Sequence, residues 1–330
     1  MEKQGTYIYN SLMKIFFPDI HITLTKNLSL SVESLGHQLV VPSKDYRISE
    51  FPPQRWAWNE SHTKESTQKY GFAKNTIYAS KEEIFDIKPE VIFVTAFENQ
   101  FEVLNVLWPE AKKWGAKLAF YSGNDYWDTA YPWDIIQNYM PADQLAAKLC
   151  EKNNKHYFHY RPWIDYDMFS YEGSSDSDII GTYICDYKNN FPEDFECYNK
   201  ITKSTVANYI LCEDKTKAET SDIMNKSCAT LHIKRLEGYG FAVIESMAKG
   251  RPVFFWEPLT EGKSYLQWLK LGITAFTFRD LGDYISQLNF LLSNKEFRNE
   301  VQFNCSKKIR EIINNEEQNF KLNNFLNNLL

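Results

Sequence analysis

Short, β-rich apolar runs alternate with helical patterns along most of the chain, and this alternation restricts the fold more than any other feature. In the first half the runs predict strands at residues 14–17, 38–41, 91–95 and 117–121. A second series begins near Ile179 and predicts strands at residues 180–185, 207–212, 229–234, 252–256 and 273–278. Helical patterns occupy residues 24–35, 81–87, 99–114, 193–204, 220–228, 239–249, 281–293, 296–314 and 316–330. Because such alternation is typical of parallel sheets, the sequence predicts two doubly wound α/β domains.

The length of the chain and one change in composition place the boundary between these domains. A single hydrophobic core stops growing at about 250–300 residues, and this chain has 330. Between the two series of strands the sequence becomes polar, over residues 173–178. We expect an N-terminal Rossmann-like domain over residues 1–165, with an insertion at about 42–75, and a C-terminal Rossmann-like domain over residues 166–330.

The charge and the cysteines exclude several functional classes. The formal net charge is −6, which gives no overall attraction to nucleic acid or to an anionic membrane. The six cysteines form no C-x-x-C pair, and several lie in apolar stretches, as buried thiols do in a reducing compartment. No stretch approaches the roughly 20 apolar residues of a membrane span or resembles a signal peptide. We therefore expect a cytoplasmic protein without integral membrane association.

The segment from Ala229 to Val253 carries most of the functional information. It reads as a strand, a glycine turn, a helix that starts near Tyr239, a glycine stop and a further strand. Two facing α/β domains would border one cleft with the carboxyl ends of their strands, where ligands bind. Backbone N–H groups at such a helix N-terminus suit a phosphate or a sugar hydroxyl. Glu237 and Glu245 would add two carboxylates, although a glycine cap before a solvated helix face gives a similar local pattern.

The same segment resembles the donor-site signature of glycosyltransferase family 4 and related retaining GT-B enzymes. It has Glu-Gly-aromatic-Gly at 237–240, Glu-Ser-Met-Ala at 245–248 and Gly-x-Pro-Val at 250–253. The resemblance implies a GT-B fold with the nucleotide-sugar donor in the C-terminal domain and the acceptor on the N-terminal side. Glu237 would be a catalytic residue that holds the hydroxyls of the transferred sugar, and Glu245 would bind the ribose hydroxyls. The backbone amides beside the sugar and diphosphate would be those of Gly238, Tyr239, Gly240 and Phe241.

The resemblance also implies that the last helix, at about 316–330, packs on the N-terminal domain.

The chain departs from the family's pattern in two respects. The family places an Arg and a Lys after the early strands of the C-terminal domain, where they neutralise the diphosphate. The turn after Cys185 lacks the usual Gly-Arg, so the positive charge would come from other donor-site residues: Lys188, Lys234 or Arg235. The series is also one strand–helix unit short before Ala229.

Further candidate residues lie in the N-terminal half. Asn124 and Asp125 follow the strand at 117–121, so we assign Asp125 a catalytic role and Asn124 an acceptor contact, although a capped loop fits equally well. His21 follows the first strand and is a third catalytic candidate, although a loop histidine with local hydrogen-bond partners fits this position better. Arg55 and Trp56, in the insertion, could grip an acceptor through charge and stacking. The two Asp-x-Asp pairs, at 165–167 and 176–178, lie in the linker, and we expect no metal site.

Three functional hypotheses follow. The first is transfer of a hexosyl or pentosyl group from a nucleotide diphospho-sugar to a saccharide or other hydroxyl acceptor, with retention and with neither cofactor nor metal. The retaining outcome rests on the resemblance alone. The second is transfer to a hydroxymethylated DNA base, which the acidic composition disfavours. The third is a nucleotide-sugar-binding protein without catalysis, which the missing Gly-Arg turn motivates.

Overall fold

A computed structural model describes residues 12–18, 22–43, 71–95, 103–122, 132–142, 144–161, 163–213, 215–235, 239–260 and 269–330. The chain forms two compact units. Unit 1 contains Met1–Trp163 together with Asn315–Leu330, and unit 2 contains Ile164–Asn314. Within the described part of the chain, no helix is both long and apolar enough to cross a bilayer.

Unit 1 is built on a seven-stranded parallel sheet. Its strands are β1 (Lys14–Phe16), β2 (Gln38–Pro42), β3 (Ile77–Ala79), β4 (Val91–Thr95), β5 (Lys117–Ser122), β6 (Asn138–Pro141) and β7 (His156–Tyr157). They lie in the order β3-β2-β1-β4-β5-β6-β7, so the chain reverses its direction of winding between β1 and β4. Every residue of β4 is buried, because helices cover a parallel sheet on both faces.

The helices of unit 1 before the boundary are short. They are α1 (Ile22–Ser34), α2 (Lys81–Ile87), α3 (Trp108–Ala111) and α4 (Gln144–Lys152). A π-helical turn at Val103–Leu107 and a 3₁₀ turn at Lys112–Trp114 flank α3. A single helix was predicted at 99–114. Over the described residues 103–114 it consists of a π-helical turn, the short helix α3 and a 3₁₀ turn.

Unit 2 is built on a five-stranded parallel sheet. Its strands are β8 (Ile179–Thr182), β9 (Asn208–Leu211), β10 (Ala229–His232), β11 (Val253–Trp256) and β12 (Ala275–Phe278). Its helices are α5 (Tyr187–Asn190), α6 (Pro192–Thr202), α7 (Lys217–Lys226), α8 (Phe241–Ala248), α9 (Leu281–Ser293) and α10 (Lys295–Ile312). All five predicted strands are present, and their order, β12-β11-β10-β8-β9, is that of a five-stranded doubly wound sheet.

The last helix of the chain belongs to unit 1. Helix α11 (Asn315–Leu329) packs against α1, and Asn319 Nδ2 donates a hydrogen bond of 2.8 Å to Ser34 Oγ. Its buried face consists of Gln318, Leu322, Phe325, Leu326 and Leu329.

The Gly-x-Pro-Val part of the sequence signature has a structural role. Gly250 has a φ of 75° and ends α8. Its N–H donates to Met247 O at 2.8 Å, and the Arg251 N–H donates to Ser246 O at 2.7 Å. These two bonds define a Schellman motif, which requires a left-handed residue at the position of Gly250. An added Cβ there would lie 2.5 Å from Tyr171 Cδ2, so only glycine fits.

The polar segment at 173–178 is firmly bound within unit 2. The Asp176 carboxylate accepts hydrogen bonds from Lys295 Nζ at 2.7 Å and from Arg298 Nη2 at 2.9 Å. The Gln302 side chain accepts from the Ser175 N–H at 2.9 Å. Asp176, one of the four Asp-x-Asp carboxylates, thus forms ion pairs with two cationic side chains.

Candidate functional site

The carboxyl ends of β8 and β10 form the switch point of the second sheet. The chain moves from β8 outward to β9 and then returns to β10 on the other side of β8. In open parallel sheets the loops that follow the two strands at such a point diverge, and ligands bind between them. The residues after β8, β9 and β10 are therefore the candidate site of unit 2.

A buried ion pair lies at this edge of the sheet. The Lys217 Nζ is 2.7 Å from Glu245 Oε1 and 2.8 Å from Glu245 Oε2. The side chain of Glu245 is 7% exposed and that of Lys217 is 24% exposed. Lys217 is the first residue of α7, after β9, and Glu245 lies in α8, after β10. The pair thus joins two successive strand–helix units and keeps a carboxylate and an ammonium group together beside solvent.

Helix α8 is fixed firmly on β10 and begins at a glycine. Thr230 Oγ1 donates a hydrogen bond of 2.9 Å to Ser246 Oγ in the buried interface. Gly240 caps the helix with a φ of 67° and a ψ of 50°, a left-handed conformation that favours glycine. The N–H groups in the first turn of any helix have no partner within that helix. The rings of Tyr239 and Phe241 flank this end, with centroids 5.6 Å apart.

Arg235 is already held by acidic side chains of α6. The Asp194 carboxylate accepts from the Arg235 Nε–H at 2.7 Å and from the Arg235 backbone N–H at 2.9 Å. Glu193 forms a second ion pair with the same guanidinium. The hydrogen bond to Asp194 raises the pKa of Arg235 above its usual value. Much of the charge of Arg235 is therefore neutralised within the protein, and its main effect is to fix the loop after β10.

A carboxylate from the loop after β9 binds the segment that follows β8. The Tyr187 N–H, at the start of α5, donates to Glu213 Oε1 at 2.7 Å. The Tyr187 hydroxyl donates to Ile233 O, which ties the loop after β8 to the loop after β10. Burial raises the pKa of this hydroxyl. Lys188 is exposed on α5, and the ammonium of Lys234 lies 5.0 Å from the Phe191 ring centroid.

Replacing Asp194 with asparagine is expected to lower the free energy of unfolding by about 2 kcal/mol, because the buried carboxylate accepts charge-assisted bonds that a neutral amide replaces poorly. Asp194 is 2% exposed. The measurement is urea denaturation. Glu193→Gln is the matched control, because Glu193 is 73% exposed and an exposed pair contributes only about 0–1 kcal/mol. Equal losses from both substitutions would contradict the assignment of Asp194 as the residue that holds the loop.

Several residues singled out in the sequence lie outside the described residues: His21, Arg55, Trp56, Asn124, Asp125, Glu237 and Gly238. The described ones, Lys188, Lys234, Arg235, Tyr239, Gly240, Phe241 and Glu245, all follow strands β8 or β10. Sequence reasoning missed Lys217. A signal for it exists, because Thr216 and Glu219 form a capping box that starts α7 at Lys217. Among the described residues no group of three or more metal-binding side chains is placed to hold an ion.

Comparison with solved structures identifies the architecture. HepE from Anabaena, in complex with UDP, superposes with a TM-score of 0.67 at 8% identity and covers 97% of this chain and 100% of that chain. Sucrose-phosphate synthase from Thermosynechococcus elongatus has a TM-score of 0.62 at 9% identity, covering 96% and 99%. A glycosyltransferase from Rickettsia africae has a TM-score of 0.63 at 11% identity, covering 96% and 98%.

The chain has the GT-B fold. These three structural neighbours are GT-B glycosyltransferases, and each match extends over nearly all of both chains. No protein-family model matches the sequence, and a comparison with curated proteins finds no match. At these identities the GT-B neighbours establish the fold alone.

Proposed function

We propose that the protein is a glycosyltransferase that takes a sugar from a nucleotide diphospho-sugar bound at the carboxyl edge of the second sheet. The observation that supports this most directly is the Lys217–Glu245 pair, at the start of α7 and in α8 beside the switch point. It offers an acceptor for hydroxyl groups and a cation for phosphate within one site. HepE, which has the same fold over nearly the whole chain, binds UDP and UDP-glucose.

The donor would be divided between these groups. Glu245 would accept hydrogen bonds from the two ribose hydroxyls, as the sequence signature implies. Its carboxylate already accepts two bonds from Lys217, and a carboxylate has about four lone-pair sites, so both partners can be bound together. Lys217, whose side chain is 24% exposed, would present its ammonium to the diphosphate. This assignment supplies the Lys that the sequence did not locate, and it makes Arg235 a structural residue.

Stabilisation of the leaving nucleoside diphosphate would be electrostatic. Charge that develops on the leaving group is stabilised by preorganised donors, and a lysine together with helix-terminal amides can provide them without a metal ion. The amides of residues 238–241 would lie beside the sugar and diphosphate. Glu237 would hold the sugar hydroxyls, and retention follows from the same resemblance. The acceptor, a saccharide or another hydroxyl compound, would be bound through unit 1, with Asp125, Asn124, His21, Arg55 and Trp56 as candidate contacts.

The first test is a thermal-shift screen against UDP, GDP, ADP, CMP and dTDP and their common sugar conjugates, without added metal. A ligand that binds only the folded state stabilises it by about 2.7 kcal/mol at 100 times its Kd. For folding units of this size the expected rise in melting temperature is about 5–10 °C. Release of the nucleoside diphosphate in the presence of an acceptor panel then measures transfer.

The outcomes separate the hypotheses. A shift with one nucleotide together with transfer supports the proposal. A shift without hydrolysis or transfer favours the non-catalytic binder, whose motivation remains the absence of Gly-Arg after β8. Transfer confined to hydroxymethylated DNA, with salt-sensitive DNA binding, favours the second hypothesis. No shift with any nucleotide and no transfer with any donor contradicts a donor site at this edge of the sheet.

A further inference from the structure

Unit 1 contains a groove at the edge of its sheet. It runs between β7, the residues that follow β7, and α11, and its volume is about 430 Å³. Strand β7 is the outermost strand of its sheet, so α11 rather than another strand borders it on the outer side. The volume lies within the range of about 300–1,000 Å³ that small-molecule sites occupy.

The groove is lined by cationic and amide side chains. Arg161 and Lys321 border it, together with His156, His159, Asn324 and Phe325. None of the described residues that line it is an aspartate or a glutamate. Guanidinium, ammonium and imidazole groups all donate hydrogen bonds, and the first two cannot accept them. The lining is therefore complementary to a ligand that carries acceptor oxygens and negative charge.

The walls of the groove are held by bonds to the rest of unit 1. His156 Nδ1 lies 3.2 Å from Asn138 Oδ1 on β6, and its ring stacks on Phe325 with centroids 5.6 Å apart and an interplanar angle of 10°. His159 Nε2 lies 3.3 Å from Ala142 O. These contacts orient both imidazole rings before any ligand arrives, which lowers the entropic cost of binding.

The carboxylate of Glu317 neutralises part of the positive charge beside the groove. Glu317 forms an ion pair with Lys321 one turn further along α11, and both side chains are about half exposed. The hydrogen bond from Lys321 lowers the pKa of Glu317, and the charge of Arg161 adds to this effect. An exposed glutamate is easily displaced, because an exposed ion pair contributes about 0–1 kcal/mol. A stronger anion can therefore replace Glu317 beside Lys321.

We propose that this groove is a binding site for a small anion, in which Arg161 and Lys321 bind a phosphate or carboxylate group of a metabolite. The site lies entirely in unit 1 and uses none of the residues assigned to the donor. Arg161 supplies a planar fork that fits a phosphate or a carboxylate through two parallel bonds. Lys321 adds a point charge from the opposite wall, on α11.

The test is isothermal titration calorimetry with inorganic phosphate and with citrate, at a fixed ionic strength near 0.15 M. We expect binding to the full-length protein with a Kd at or below the millimolar range. The double substitution Arg161→Gln with Lys321→Gln is expected to weaken this binding by at least about tenfold, because two charge-assisted bonds are lost. Tighter binding of phosphate than of citrate would identify a phosphorylated ligand, and the reverse a carboxylate.

Two further variants make the result specific to the groove. Lys113→Gln removes an exposed lysine that pairs with Glu110 away from the groove, and it should leave anion binding unchanged. Glu317→Gln removes the competing carboxylate and should tighten anion binding about threefold. The melting temperature of each variant checks that it is folded. Absence of binding up to about 10 mM of either anion, or unchanged binding in the double variant, overturns the proposal.

Discussion

Replacing Glu245 with glutamine is expected to weaken binding of the nucleotide diphospho-sugar by about 10- to 100-fold. The physical reason is that a carboxylate accepts charge-assisted bonds from the ribose hydroxyls, whereas an amide of the same shape offers one acceptor and places a donor against them. Transfer measured as kcat/KM should fall by at least the same factor, since the lost bonds are present in both the bound donor and the transition state. Thermal shift and steady-state kinetics measure the two effects.

The partner residue distinguishes a ligand site from a structural ion pair. Lys217→Met leaves the 7% exposed carboxylate of Glu245 without its cation, and breaking a buried pair in this way costs about 3–5 kcal/mol of unfolding free energy. Glu245→Gln leaves Lys217 able to turn to solvent and should cost less. Glu300→Gln, an exposed glutamate on α10, is the matched control. Wild-type donor affinity in Glu245→Gln would show that the pair only stabilises the fold.

Arg251→Met is expected to lower the free energy of unfolding by roughly 3–5 kcal/mol. Arg251 is 2% exposed, and burial lowers the pKa of its guanidinium. Its Nε donates to Met224 O at 2.8 Å and its Nη2 donates to Asn225 O at 3.1 Å, and both carbonyls belong to the last turn of α7. Its Nη1 donates to Gly173 O at 3.3 Å. Methionine removes all three of these hydrogen bonds and a cation from a helix C-terminus.

Chemical denaturation, followed by circular dichroism, measures this loss. Arg279→Met is the control, because Arg279 is 78% exposed and pairs with Asp283 at the surface, so its loss should cost below about 1 kcal/mol. Arg251→Lys should also destabilise the protein, since one ammonium cannot reach carbonyls in three directions. A variant Arg251→Met that is as stable as the Arg279→Met control would contradict this interpretation.

The sequence predicts best the elements whose burial matches a simple pattern. Strand β4 and helices α2 and α9 begin and end at the predicted residues, because a strand buried on both faces reads as an unbroken apolar run. Strands β3 and β6 were not predicted. The first has three residues, and the second begins with Asn138 and ends with Pro141, so neither carries a periodic signal. Their places in the sheet depend on neighbours elsewhere in the chain.

For the candidate site the limit is of another kind. Glu245 is visible in the sequence because it belongs to a continuous signature, but its partner lies 28 positions earlier on a different helix. Arg235 was a candidate for the diphosphate because of its charge and its place after β10. The carboxylate of Asp194, 41 positions away, neutralises part of this charge. No local pattern in the sequence reveals that pairing. Contacts between side chains of different helices and strands depend on the tertiary fold, and a single sequence does not show them directly.

The position of α11 has a consequence for biosynthesis. Unit 1 buries four apolar side chains of this helix, Leu322, Phe325, Leu326 and Leu329, yet the chain passes through all of unit 2 before reaching them. Domains commonly fold in the order in which the ribosome releases them, the N-terminal one first. Unit 1 emerges first, and the apolar surface of α1 that α11 later covers stays exposed while unit 2 is translated and folds. The N-terminal unit is therefore completed only after α11 has been released.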